Sequence, residues 1–518
     1  MEKLQVLSFW IIMVTWTVPG LCNQTNIVLV VTDDQDLTLG GLTPMVKTQK
    51  IIANMGVTFT NAFVTTPICC PSRASMFSGQ YQHNHQTLNN SVSGGCSGPY
   101  WQQHVEPQAW PALLHQAGYT TFYAGKYLNQ YGYRKTGGAT HVPAGWDWWI
   151  GLVGNSRYYN YTLSVNGTAV FHSDDYLTNV IEAFGLEFLR QHHVTEKNFL
   201  MVLAPPAPHA PFTPAPKYKD HYKNVTAMRT PNFNVPVFRD KHWLLQMPPS
   251  PLPDSMLPEL DRVYRQRWET LLSVDDLIES MVMKLESLGL LDKTHFIVTS
   301  DHGYHVGQFG LPWDKRQPYE MDIRIPLMMR GPGLPHRQMD THSVLNIDFA
   351  PTFLAMADLE APPWMDGISF FPLSKQNADD GTGMDRKFLI EYQGEGSRKT
   401  VSPNCLYDEA DTLSNCVPEQ MCKCQDARNN TFTCVRHLKP HITPHLMSSY
   451  NFLFCKFRDS ENFTEAYDLN VDPYQLNNLA LSLSPAVENK YMSWLEHLKS
   501  CSGLSCQLHH DSDAQSSP

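Results

Sequence analysis

The chain has 518 residues, a formal net charge of −11 and 42% hydrophobic residues, enough apolar material for a large core and too much length for one average domain. The acidic balance argues against a surface that coats nucleic acid or other polyanions, so an anionic substrate must be met by cations gathered locally. Protonation of all 22 histidines would reverse the sign of the charge, so an acidic compartment would make the surface more welcoming to polyanions.

Lys3 is followed by an apolar segment from Leu4 to Trp16 and by Pro19-Gly20-Leu21-Cys22. This pattern predicts a secretory signal peptide over residues 1–22, with an apolar part too short to span a membrane. No later stretch reaches spanning length, so a soluble secretory-pathway protein with no membrane span is expected. Asn-x-Ser/Thr sequons at Asn23, Asn89, Asn160, Asn166, Asn224, Asn429 and Asn462 predict glycosylation. Most of the 12 cysteines lie beyond position 400, which implies an oxidising compartment and a disulfide-braced C-terminal region with its pairing left open. Cys422-Lys423-Cys424 with His437 reads as thiol pairing in preference to a zinc site.

Asn26 to Thr32 is a β-branched apolar run ending at Asp33-Asp34, as for a buried parallel strand with functional residues at its carboxyl end. Next comes Cys69-Cys70-Pro71-Ser72-Arg73, a nucleophile with a cation four residues on. Pro71 and Ser72 favour a helix start, where free N–H groups stabilise an anion. Strand-like runs recur at residues 120–124, 199–203, 295–299 and 325–329, and the best helical pattern runs from Pro258 to Leu288. Strands alternating with helices predict an α/β fold, a mostly parallel sheet covered on both faces with ligands beyond the strand ends. Asp301-His302 follows one such strand, and with Asp33 and Asp34 would make a metal site suited to Ca²⁺ or Mg²⁺, with the imidazole leaving room for a transition metal. After a polar loop near Asn377 to Asp385 a smaller α+β domain is expected, giving domains over 23–380 and 381–506 and a flexible tail over 507–518.

These motifs resemble those of the type I sulfatase family, whose Cys-x-Pro-Ser-Arg signature is matched from Cys69 to Arg73. In that family a formylglycine-generating enzyme oxidises the first cysteine to formylglycine, whose hydrated aldehyde attacks sulfur. The resemblance implies an alkaline-phosphatase-like sheet and one Ca²⁺ held by Asp33, Asp34, Asp301, His302 and the group derived from Cys69. It further implies catalytic roles for Arg73, Lys126, Lys315 and His209, with His209 as the acid that protonates the departing sugar hydroxyl.

Many members carry Gly-Lys-x-His where this chain has Gly125-Lys126-Tyr127-Leu128. That segment resembles the glucosamine-6-sulfatase branch, as do Glu391-Tyr392-Gln393-Gly394-Glu395 and Cys501-Ser502-Gly503. The branch implies hydrolysis of 6-O-sulfate on N-acetylglucosamine or glucosamine at non-reducing ends of heparan and keratan sulfate, in lysosomes or after secretion; a homodimer is a candidate assembly. His83 and His85 are candidates for the base or for substrate contacts; Trp313, Glu391, Gln393 and Glu395 are candidate sugar contacts. Three other readings stay open. A heparan endosulfatase would carry a long basic insertion, which this chain lacks. A related metal-dependent phosphatase would usually present serine or threonine, and a silent glycan-binding homologue would be expected to lose site residues.

Overall fold

The structure, a computed structural model, describes residues 24–195, 197–236, 239–373, 385–395, 423–439, 450–459 and 461–507. The expected signal peptide, Asn23, Cys405, Cys416, Cys422, most of the polar loop at 377–385 and the tail from 508 lie outside the described residues.

The first apolar run forms strand β1 (Asn26–Thr32), buried at every position. It is joined by β2 (Val57–Phe63), β3 (Thr120–Gly125), β4 (Trp148–Leu152), β5 (Tyr161–Val165), β6 (Thr168–His172), β7 (Phe199–Ala204) and β8 (Thr294–Ser300). The hairpin-like pair β9 (His305–Val306) and β10 (Trp313–Asp314) stands apart, and β11 (Leu327–Arg330) and β12 (Gln338–Leu345) complete the sheet. Its ten strands run in the order β12-β2-β11-β8-β1-β7-β3-β4-β5-β6. The central set β8-β1-β7-β3-β4 is parallel, whereas β11 runs antiparallel to both β2 and β8. The predicted strand at residues 325–329 starts two residues late, after Pro326, whose ring nitrogen has no hydrogen for a ladder bond.

Alternation along β1 feeds two cores: Ile27, Leu29 and Val31 face one cluster, Val28 and Val30 the other. The second face is covered by helices Leu177–His192 and Leu257–Ser287. The long helix begins with Pro258 in its first turn, where a missing N–H leaves no bond unmade. The first face carries helices Cys69–Ser78, Trp110–Gln116 and Phe349–Met356.

A separate antiparallel sheet follows, β13 (Arg386–Tyr392), β14 (Phe432–Lys439), β15 (Tyr450–Phe457) and β16 (Thr464–Asp468). Cys434 and Cys455 sit opposite each other on β14 and β15 and form a disulfide. Its apolar face is continuous with the first core, as where the rings of Phe63 and Phe388 lie 5.3 Å apart. The N–H of Glu391 in β13 donates to Thr65 O at 2.8 Å, so the small sheet grips the segment leading to Cys69.

Candidate active site

Asp33 follows β1, Lys126 follows β3, His209 lies just beyond β7 and Asp301 follows β8, so the parallel strands deliver these groups to one sheet edge. Successive side chains of an extended strand point to opposite faces. Asp34 breaks that alternation with a φ of 71°, which lets both carboxylates enter one pocket.

Lys126 Nζ donates to both oxygens of Asp33 at 2.9 Å, and Ser156 Oγ donates to Oδ2. Lys315 Nζ binds the oxygens of Asp34 at 2.8 and 2.9 Å. His302 Nε2 and His209 Nε2 lie 3.3 and 3.9 Å from Asp34. Asp301 Oδ2 receives Arg73 Nε at 2.8 Å, while its Oδ1 accepts the N–H groups of Asp34 and His302 at 3.0 Å each.

Cys69 is the first residue of helix Cys69–Ser78, whose N-cap Ile68 offers no capping side chain. The start is held from outside: Cys70 N–H donates to Asn90 Oδ1 at 2.8 Å, and Ser72 Oγ donates to Asp301 O. Asn346 Nδ2 donates to Ser72 O at 3.2 Å while its Oδ1 accepts Thr65 N–H at 3.0 Å. Arg73, one turn after Cys69, shares its helix face and reaches Lys126 O at 2.7 Å through Nη1. The neighbouring Cys70 turns away and pairs with Cys96, which leaves Cys69 as a free, buried thiol. Its Sγ is 3.3 Å from His302 Nε2.

Burial pushes the Cys69 thiol up, but Lys126, Lys315 and His302 outweigh it and hold the thiol well below its ordinary value. Burial likewise opposes ionisation of Asp33 and Asp34, and is overcome chiefly by Lys126 at the first and Lys315 at the second, so both stay low. Burial, with Asp33 and Cys69 adding to it, raises Asp301 to about 6 despite His302 and Arg73. His302 resists burial through Asp301 and Cys69 and rises to about 9. His209 is also raised, by Asp34 and Asp33 against burial.

Asp301 is thus the carboxyl of the three in which burial prevails, Asp33 and Cys69 adding to it. Ligand atoms of Asp33, Asp34, Cys69 and His302 all lie within 4.8 Å of one another and are buried. Carboxylate oxygens with an imidazole fit a divalent cation, and the soft Cys69 sulfur and the His302 nitrogen are the donors foreign to an all-oxygen calcium shell. Asp301, expected as a fifth ligand, lies beside this group with its Oδ1 3.7 Å from His302 Nε2.

A sulfatase family model matches residues 25–359, the span that holds every one of these groups. The chain belongs to the sulfatase family. It is therefore a sulfuric ester hydrolase by family, with the alkaline-phosphatase-like sheet described above.

This sulfatase is 46% identical over 488 residues to the N-acetylglucosamine-6-sulfatase of Capra hircus, covering 93% of this chain and 84% of that protein. The Homo sapiens N-acetylglucosamine-6-sulfatase is 45% identical, with 93% and 86% covered. An extracellular sulfatase SULF-1 homolog of Drosophila melanogaster is 40% identical over 71% of this chain and 33% of its own length. Among solved structures, one in complex with its substrate D-glucosamine-2-N,6-O-disulfate superposes with a TM-score of 0.69 at 20% identity, covering 91% of this chain and 97% of that one. At that identity the likeness shows the fold alone.

The other candidate residues are placed as follows. Leu128 is buried in the main core of this sulfatase. His85 is engaged on both nitrogens, with Ser75 Oγ at 2.9 Å and Thr87 N–H at 3.1 Å, and burial keeps it neutral with a pKa lowered to about 3. His83 lies between Glu391 Oε1 at 2.9 Å and Cys501 O at 3.0 Å. Neither ring is brought against Cys69 by these bonds. Glu395 accepts Asn90 N–H at 2.8 Å and faces Arg316 Nη2 at 3.4 Å. Burial pushes its carboxyl up, Arg316 opposes that, and Cys69 is among the charges it feels. Gln393 is exposed and Trp313 half-buried against Val306 and Tyr304. Asn160, Asn166, Asn224 and Asn462 are exposed; Asn89 and Asn429 are half-buried.

Ser156, Asn346 and Asn90 escaped the sequence reading. Each is a solitary polar residue in an unremarkable stretch, and only the fold gives it a partner.

Proposed function

We propose that this sulfatase removes the 6-O-sulfate of N-acetylglucosamine or glucosamine 6-sulfate at the non-reducing ends of heparan and keratan sulfate. The observation that carries the reading is Cys69: the free thiol among the described cysteines, set among Lys126, Lys315 and Arg73 in a chain 45–46% identical to N-acetylglucosamine-6-sulfatases. Asp33, Asp34, His302 and the Cys69 position, with Asp301 behind them, would hold a divalent cation, taken to be Ca²⁺. When bound, that ion polarises a sulfate oxygen and, with Cys69 converted to formylglycine, supplies a nucleophile close to sulfur.

The chain's own residues do the remaining work. Lys126 and Lys315 bind sulfate oxygens as charge grows there, and Arg73 orients Asp301 and the helix that carries the nucleophile. His209, its proton retained by Asp34 and Asp33, donates to the departing sugar oxygen. Glu395 and Trp313 are the residues taken as sugar contacts. The disulfides Cys70–Cys96, Cys434–Cys455 and Cys501–Cys506 support passage through the secretory pathway, to lysosomes or the exterior.

The test is mass spectrometry of the Cys69 peptide from a host that has the formylglycine-generating enzyme. Conversion of cysteine to formylglycine is expected; only unmodified or disulfide-bonded Cys69 would sink the reading. Offering 6-sulfated glucosamine at a chain end or internally then separates the alternatives, because release from internal positions alone would assign an endosulfatase.

A further inference from the structure

Beyond the catalytic pocket, a cavity of about 390 Å³ opens between residues 211–214, the segment 219–223 and the solvent side of the long helix Leu257–Ser287. Its wall carries four cations, Lys219, Lys223, Arg262 and Arg265, against two carboxylates, Asp220 and Glu269. Such a local surplus stands out on a chain with a net charge of −11. Arg262 is committed to Glu259 in a two-pronged pair. Lys219, Lys223 and Arg265 have no ion-pair partner among the described residues, and Arg265 spends one N–H on Val225 O at 3.1 Å. Glu269 is buried and accepts Tyr222 N–H.

The cavity adjoins the catalytic centre through two steps. Phe212 N–H donates to His209 O at 3.2 Å, and its ring meets Tyr304 edge-on at 6.4 Å between centroids. Tyr304 in turn lies under Lys315, whose Nζ is 5.6 Å from the ring centroid. The residue proposed as the acid therefore begins the segment that walls the cavity.

We infer that this cavity is a second anion subsite, which takes a sulfate or carboxylate further along the glycan whose terminal 6-sulfate occupies the Cys69 pocket. The inference rests on the proposed glycan substrate and adds to it a preference for chains over single sugars. Unpaired cations at a concave surface attract a polyanion and release it as salt screens them. Each exposed contact contributes modestly, so the effect needs several together.

The experiment compares the wild type with the triple variant Lys219→Ala, Lys223→Ala and Arg265→Ala. The substrates are glucosamine 6-sulfate and two heparan-derived tetrasaccharides ending in that sugar, one N-sulfated and one N-acetylated along its length. The variant should raise KM for the tetrasaccharides about fivefold, leave kcat unchanged and leave the monosaccharide kinetics unchanged. Added NaCl should weaken tetrasaccharide binding more in the wild type than in the variant, and arginine at the same three positions should restore the wild-type KM. A larger effect on the N-sulfated chain assigns the subsite to sulfate; an equal effect assigns it to the uronate carboxylate. Unchanged tetrasaccharide KM, or an equal change with the monosaccharide, overturns the inference. Should the wild type leave glucosamine 6-sulfate intact, the functional reading fails by itself. Calorimetric binding of the tetrasaccharides to wild type and variant still decides the cavity.

Discussion

Lys315 Nζ holds both carboxylate oxygens of Asp34, at 2.8 and 2.9 Å, across a separation of 281 residues. The pair is buried with Cys69 beside it, so the same ammonium that keeps Asp34 ionised also faces the nucleophile's position. Its partner in kind is Lys126 on Asp33. Lys315→Met or Lys126→Met should therefore lower kcat/KM for 6-sulfated glucosamine about 100-fold or more, read by sulfate release. Activity within threefold of wild type in both variants would remove them from the catalytic set.

Asn346 joins the segment entering the active site to the helix that carries Cys69, through Thr65 and Ser72. It is wholly buried, so truncation strands several polar groups away from water. Asn346→Ala should cost about 2–4 kcal/mol of stability and lower kcat more than it changes KM. Urea unfolding followed by steady-state kinetics checks both parts.

The Cys70–Cys96 bridge closes a span of 26 residues directly beside Cys69. Chain-entropy arguments give about 3.5 kcal/mol for a loop of that length. Replacing both cysteines with alanine should lower the unfolding midpoint accordingly while leaving Cys69 free. Thermal unfolding of wild type and double variant, under non-reducing conditions, measures it.

Removing the proposed cation should leave Asp33, Asp34, Asp301 and the Cys69 position buried together with only Lys126, Lys315 and Arg73 as fixed positive charges. Chelation is then expected to abolish turnover and lower the unfolding midpoint, with one equivalent of Ca²⁺ restoring both. Native mass spectrometry counts the ion. Full activity after exhaustive chelation would argue against a resident metal.

His83 gives a pH signature remote from the metal ligands. Burial alone would lower its pKa, but the hydrogen bond and charge of Glu391 raise it above 6.5. A raised folded-state pKa means that the stabilisation is complete below the unfolded value of about 6.5 and is lost as pH climbs through the folded value. His83→Gln should thus cost about 1 kcal/mol at pH 5 and less at pH 8, read from unfolding midpoints across that range. Equal losses at both ends would contradict the assignment.

Much of this molecule is legible without coordinates. The run Asn26–Thr32 announces a strand because a parallel strand buried on both faces must be apolar throughout, and the strand is found at those residues. Asp33 and Asp34, Asp301 and His302, and Cys69 with Arg73 stand out because residue types of matching chemistry end such runs or sit at helical spacing. Tertiary structure alone decided which lysine neutralises which aspartate, that Cys96 is the partner of Cys70, and that Ser156 and Asn346 belong to the site. It also drew His83 and His85 into bonds with Glu391, Cys501 and Ser75. The physical reason is range: a strand or helix start is specified by neighbours in the chain, whereas these contacts join groups that only the folded sheet brings together, and a lone serine or asparagine carries no local mark of its distant partner.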